Sequence, residues 1–213
     1  MLGNLLATLI GLLSLLGLAP VNDAAPIGAP RPPELTVPGE SAVDAAAANA
    51  PLPTVGTVNI RRYAGTWYEL ARSPVRFQDP KSVSIAQYGV LPDNSGLSVQ
   101  NTSYIGDEVG YSIRGTATPA NPERADRLRV SFGGFLAVVP VPDEGNYWIV
   151  ELTSDYSMAL VGTPDRRSLW LLARDATGYD VNRANDFLMR AAELGFDTSK
   201  VTLADWKTRR MGD

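Results

Sequence analysis

From Val58 onward, short runs of alternating or continuously apolar character recur at close spacing, and turn residues separate them. They are Thr66 to Ala71, Val83 to Val90, Leu97 to Tyr104, Val109 to Thr116, Leu128 to Phe132, Tyr147 to Thr153, Met158 to Gly162 and Leu169 to Arg174. Each is the length of a strand, and most are rich in β-branched and aromatic residues. Pro92-Asp93-Asn94-Ser95-Gly96 and Gly162-Thr163-Pro164-Asp165 have the composition of tight turns. Eight sequential strands with short connections predict an all-β fold, an eight-stranded antiparallel up-and-down β-barrel, because closing the sheet removes the two edges an open sheet would leave unpaired.

A different period follows. Val181, Ala184, Phe187, Leu188, Ala191 and Leu194 recur at intervals of three and four, with Asp180 placed to cap the start and Gly195 to end it. This predicts one C-terminal α-helix packed outside the barrel. The runs Tyr147-Trp148-Ile149-Val150 and Leu169-Trp170-Leu171-Leu172 are apolar on both faces, which a barrel wall tolerates where something covers its outer side. Val201 to Leu203 is a candidate final short strand, and Trp206 a candidate for packing on the wall.

The amino-terminal part divides in two. Leu2 to Leu18 is uncharged and almost continuously apolar, so residues 1–25 are expected to be a signal peptide or a membrane anchor and the protein to be exported, secreted or held in the cell envelope. Residues 26–57 are rich in Pro and Ala with few large apolar side chains. That composition predicts a disordered linker, since it buries too little surface to offset the entropy of ordering. Residues 58–213 remain as one folded domain.

Composition narrows the chemistry. The chain has 213 residues and a formal net charge of -4, with no basic footprint for phosphate backbones, so nucleic acid is not expected as a partner. Cys and His are both absent. Disulfides, thiolate or imidazole metal ligands and every Ser-His or Cys-His catalytic pair are thereby removed, and neither a metal nor a cofactor is expected.

The segment Asn59-Ile60-Arg61-Arg62-Tyr63-Ala64-Gly65-Thr66-Trp67-Tyr68-Glu69-Leu70-Ala71-Arg72, followed by Phe77-Gln78, resembles the entry segment of the lipocalin family, especially its bacterial, plant temperature-induced and apolipoprotein D-like branches. Ala86-Gln87-Tyr88, Gly115-Thr116-Ala117-Thr118-Pro119, Leu128-Arg129-Val130-Ser131-Phe132, Tyr147-Trp148-Ile149 and Ala159-Leu160-Val161 are similar, in the same order, to later segments of that family, and Trp170-Leu171-Leu172-Ala173-Arg174 to its third signature. The second signature is loose around Thr153-Ser154-Asp155-Tyr156, and the disulfides and lipid-attachment Cys of many relatives are missing. The resemblance implies that Gly65, Trp67 and Arg174 shut one end of the barrel, with the guanidinium over the indole, and that Asp155 and Tyr156 organise a turn nearby.

By the same resemblance Tyr88 faces inward. Period-two alternation then turns Ser84 and Ala86 inward, and the same reasoning nominates Val99, Asn101, Ile113, Gly115, Val130, Phe132 and Trp170 as ligand-binding residues. Small residues among aromatics favour a cavity over a filled core. The expected partner is a small hydrophobic ligand with one polar end, such as a fatty acid, a lysophospholipid or a similar lipid, and the expected function is non-catalytic transport or storage. Two alternatives stand beside it. A lipocalin-fold enzyme would draw on carboxylates such as Glu69 and Glu151. An envelope interaction protein would use its open-end loops, where Phe135 to Val139 is apolar enough to touch a membrane surface. A monomer or weak dimer is expected. Asn101-Thr102-Ser103 matches a glycosylation sequon, but an inward Asn101 makes sugar there unexpected.

Overall fold

A computed structural model describes residues 33–38, 50–74, 79, 81–134 and 140–206. The expected leader (1–25), the Phe77-Gln78 part of the entry segment and the Phe135–Val139 loop lie outside the described residues.

Eight strands form the wall: β1 (Gly65–Arg72), β2 (Val83–Val90), β3 (Leu97–Ile105), β4 (Glu108–Pro119), β5 (Arg127–Phe132), β6 (Tyr147–Leu152), β7 (Met158–Gly162) and β8 (Leu169–Ala173). Each pairs antiparallel with the next, and β1 pairs with both β2 and β8, which closes the barrel. A two-residue strand, β9 (Thr202–Leu203), adds to the far end of β1. The sheet is thinnest between β5 and β6, where only Arg127 with Trp148 and Leu128 with Tyr147 are in register. There the Asn146 side chain substitutes for a neighbouring strand: its Oδ1 accepts from the Val130 amide (2.8 Å) and its Nδ2 donates to the Val130 carbonyl (3.0 Å).

Helix α1 (Ile60–Tyr63) is one turn capped by Asn59, whose side chain accepts from the Arg61 and Arg62 amides. Helix α2 (Val181–Glu193) starts at Asp180, whose carboxylate accepts from the Arg183 amide, and the chain leaves it through Gly195 at φ +88°. Its apolar stripe, Ala184, Phe187, Leu188 and Ala191, joins the outward residues Trp148, Val150, Leu160, Leu169 and Leu171 in one core outside the barrel. A second core fills the closed half of the interior. The two-faced apolar strands therefore separate two cores, which is the reason they lack the usual alternation. Trp206 belongs to the outer core: its indole N–H donates to the Glu69 carbonyl (2.7 Å), and its ring meets Tyr68 edge-on at 5.3 Å.

Two stretches of the expected linker are packed, which corrects the reading of residues 26–57 as a free tether. Leu52 is buried in the outer core, and the Val55 and Val58 amides donate to the carbonyls of Ile149 and Arg124. Further upstream, Leu35 and Val37 pack on the same core, while the Asn185 side chain accepts from the Thr36 amide (2.8 Å) and donates to the Glu34 carbonyl (3.1 Å). Sparse apolar residues suffice here because the domain supplies the surface they cover.

Candidate ligand-binding site

Directly paired residues share a face of the sheet, so the register shows which side chains enter the barrel. Trp67 opposes Ala86, Ala86 opposes Asn101 and Asn101 opposes Ile113. Tyr88, Val99, Gly115 and Phe132 form a second inward series, Ala117 opposes Val130, and Val161 opposes Trp170. Ser84 opposes Ser103 on the same face. All ten nominated residues thus lie on the inner face. They divide by height, and not all are free to meet a guest.

The closed end is full. Tyr63 stacks on Tyr88 (5.9 Å between centroids), Trp67 tilts against Tyr63 (5.0 Å), and the Tyr147 hydroxyl lies 2.7 Å from that of Tyr63 and 3.3 Å from that of Tyr88. Burial raises the phenol pKa of Tyr63 and Tyr147 well above the usual value and pushes that of Tyr88 up to about 12, so all three stay protonated and keep this hydroxyl chain intact. Tyr88, Val99 and Val130 therefore belong to the floor. Gly115 likewise leaves no vacancy, because a Cβ there would come within 2.8 Å of the Phe132 ring and 2.1 Å of the Ser131 carbonyl oxygen. The aromatic ring covers the glycine.

Beneath the floor, Arg174 locks the end. Its guanidinium lies 3.8 Å from the centre of the Trp67 ring, donates through Nη1 to the Thr66 carbonyl (2.8 Å) and through Nη2 to the carbonyls of Arg62, Tyr63 and Ala64 (2.9, 3.0 and 2.8 Å). Gly65 is required by this contact twice over: its φ is +105°, and a Cβ would sit 2.9 Å from Arg174 Nη1. Asp155 Oδ1 accepts from the amide and hydroxyl of Ser157, and Tyr156, at φ +64°, accepts the Asn59 amide on its hydroxyl (2.9 Å) while Arg62 covers its ring. Hydrogen bonds from Thr153 and Ser157 lower the Asp155 carboxyl pKa to about 2.

Above the floor the wall is more open. Ser84, Ala86, Asn101, Ile113, Phe132 and Trp170 are only half-buried although they face inward. Charge is also present on the inner face: Glu69, two residues from Trp67, shares its side of the strand, and a bulge between Glu69 and Ala71 turns Arg72 inward as well, which strict alternation misses. Arg72 Nη1 donates to Glu69 Oε1 (2.5 Å) and to the Ser82 carbonyl (3.0 Å), and Nη2 to the Asp79 carbonyl (3.0 Å). Burial raises the Glu69 carboxyl pKa, with Arg72 opposing the shift. Glu151 points the other way, out of the barrel, where it meets Arg190 of α2 at 3.4 Å. The two carboxylates that an enzymatic reading would have paired are thus on opposite sides of the wall. An open depression of about 600 Å³ over β1 to β4 is lined by outward Thr66, Gln87, Ser98, Gln100 and Arg114 together with Tyr88, Val99 and Gly115 of the inner series.

A β-barrel shut at one end and locked there by an Arg over a Trp matches the expected resemblance. Residues 58–205 match the family model described as a lipocalin-like domain. The chain belongs to the lipocalin family. It is similar to temperature-induced lipocalin-1 of Arabidopsis thaliana, at 36% identity over 148 residues covering 68% of this chain and 77% of that protein. Similarity to outer membrane lipoprotein Blc of Escherichia coli strain K12 is also 36%, over 147 residues covering 68% and 78%. Apolipoprotein D of Bos taurus is 28% identical over 123 residues, covering 58% and 60%. Among solved structures, insecticyanin from the tobacco hornworm Manduca sexta shares the fold, with a TM-score of 0.51 at 16% identity over 74% of this chain and 85% of that one. As a lipocalin the protein binds a small hydrophobic ligand and does so non-catalytically.

Proposed function

We propose that the open half of the barrel carries or stores a single-chain lipid, a fatty acid, lysophospholipid or similar molecule of the cell envelope, bound by Ser84, Ala86, Asn101, Ile113, Phe132 and Trp170. The observation that supports this reading most is the pairing of a packed tyrosine floor with inward residues above it that remain half-buried. A guest seated there meets apolar surface from β5 to β8, and each methylene it buries contributes about 0.8 kcal/mol. An acyl chain of modest length then binds without any ion pair.

An envelope location is supported by the similarity to the outer membrane lipoprotein Blc of Escherichia coli and by the apolar run Leu2 to Leu18. Among the described residues no helix is long and apolar enough to cross a membrane. At the open end, Ile105 (42% exposed) and Val109 (60%) flank the β3–β4 turn. Large apolar side chains so exposed at the mouth support a rim that touches a lipid surface. The protein acts as a monomer or a weak dimer.

The test is uptake of an environment-sensitive apolar probe by delipidated protein, followed by displacement with fatty acids and lysophospholipids. Saturable uptake and displacement are expected. Absence of uptake of any apolar probe overturns the reading.

A further inference from the structure

The interior of the barrel has two chemically different sides. Among the described residues, the inward carboxylate, guanidinium, amide and hydroxyl groups of Glu69, Arg72, Ser84, Asn101, Ser103 and Tyr111 in the open half come from β1 to β4. The inward residues of β5 to β8, among them Phe132, Val161, Trp170 and Leu172, are predominantly apolar, and Trp170 and Leu172 stand directly beside Arg72 and Glu69. The polar side begins at Asn101, opposite Ala86 and only two residues above Val99 of the floor, and continues toward the mouth through Ser103 to Arg72. It is a stripe along the length of the lumen.

Most of the stripe satisfies itself. Glu69 pairs with Arg72, and Ser84 hydrogen-bonds Tyr111. Asn101 is different. Its Oδ1 is buried with no hydrogen-bond partner among the described residues, as is Arg72 Nε; a third such atom, Arg127 Nε, lies on the outer face, where the guanidinium covers the Trp148 ring at 3.9 Å. A buried amide without a partner is costly, whichever way its oxygen and nitrogen are assigned. A plain methylene chain lying over Asn101 would cover the part of its amide that is still exposed and return no hydrogen bond. A hydroxyl at that height both donates and accepts.

We infer that the lumen selects a lipid chain hydroxylated along its body over the same chain without the hydroxyl, with Asn101 as the residue that reads it. The inference rests on the lipid-binding reading above and deepens it. Sites that hydrogen-bond a ligand hydroxyl discriminate strongly against the analogue lacking it, because the protein group is then left unpaired.

The experiment titrates delipidated full-length protein with stearic acid and with hydroxystearic acids carrying the hydroxyl near the head, at mid-chain and toward the tail. At least one hydroxy acid is expected to bind about ten-fold tighter than stearic acid. Asn101→Leu is expected to erase that gap by weakening the hydroxy acid alone, with a melting temperature unchanged or raised. Asn101→Thr, which suits a strand and keeps a hydroxyl, retains part of the gap, and the wild-type comparison stands even if the leucine variant does not fold. Equal binding of stearic acid and every hydroxy acid overturns the inference while leaving lipid binding in place, as does equal weakening of both classes by Asn101→Leu. Failure of all the acids to bind overturns the lipid reading and this inference with it.

Discussion

The guanidinium of Arg174, at the end of β8, lies 3.8 Å from the centre of the Trp67 indole on β1 and donates to the carbonyls of Arg62, Tyr63, Ala64 and Thr66. These carbonyls belong to the last turn of α1 and the first residues of β1, where the chain has few backbone donors left to offer. One side chain therefore ties the entry of the barrel to its last wall strand. Arg174→Ala is expected to lower unfolding free energy by about 2 to 4 kcal/mol, read by denaturant titration, with little change in ligand affinity of the folded fraction. Arg174→Lys recovers little of it, since an ammonium lacks the planar fork.

The Glu69–Arg72 pair sits inside a lumen whose other wall is apolar. Arg72→Leu leaves a carboxylate without its partner in a site that already raises its pKa, so a loss of about 3 to 5 kcal/mol is expected. The double variant Glu69→Leu with Arg72→Leu should regain most of that loss in the same unfolding measurement. If the double variant is as unstable as the single one, the carbonyl contacts to Ser82 and Asp79 matter more than the charge pairing.

Cavity occupancy is tested by filling it. Ala86→Trp places a large ring in the open half, opposite Asn101, whereas Gln87→Trp puts the same ring on the outer wall. The first is expected to reduce apolar-probe uptake at least about ten-fold, the second to leave it unchanged. Equal uptake by both variants would place the ligand elsewhere.

Asp155 makes the closed-end turn sensitive to acid. Its folded-state pKa of about 2 lies below the ordinary 3.8, so the unfolded chain takes up the proton first. The stabilisation it provides is complete above pH about 4 and is lost as pH falls toward 2. The gap in melting temperature between wild type and Asp155→Asn should accordingly be present at neutral pH and close across that window.

Asn185 holds the 33–38 segment by reading its backbone. The Thr36 amide is expected to be protected from hydrogen exchange in the full chain and to lose that protection in Asn185→Leu. Protection at Ala184 and Leu188 inside α2 should not change.

Much of the architecture was legible because alternation, turn composition and helical period are local properties. All eight strands appear within a few residues of their expected ends, and Asp180 and Gly195 bound the helix as read. The inner face was equally legible on strands that keep strict alternation, so Ser84, Ala86, Asn101 and Ile113 were placed without coordinates. Arg72 was not, since a bulge between Glu69 and Ala71 adds a residue and reverses the facing beyond it. Gly115 was read as open space because its small size is visible in sequence, whereas the Phe132 ring lying over it is not.

Taken alone, the order of residues determined a closed eight-stranded barrel with one external helix, because these follow from periodicities of two and of about 3.6 residues that no distant contact is needed to express, and the lipocalin resemblance at Tyr88 then set which face of the alternating strands meets the lumen. The three-dimensional arrangement decided the rest: a tyrosine floor that halves the lumen, a charge pair turned inward beside a bulge, a polar stripe confined to four adjacent strands, and linker segments laid on the outer core. Each depends on residues far apart in the chain meeting at one height of the barrel, and side-chain volume and hydrogen-bond satisfaction act only once that meeting has occurred.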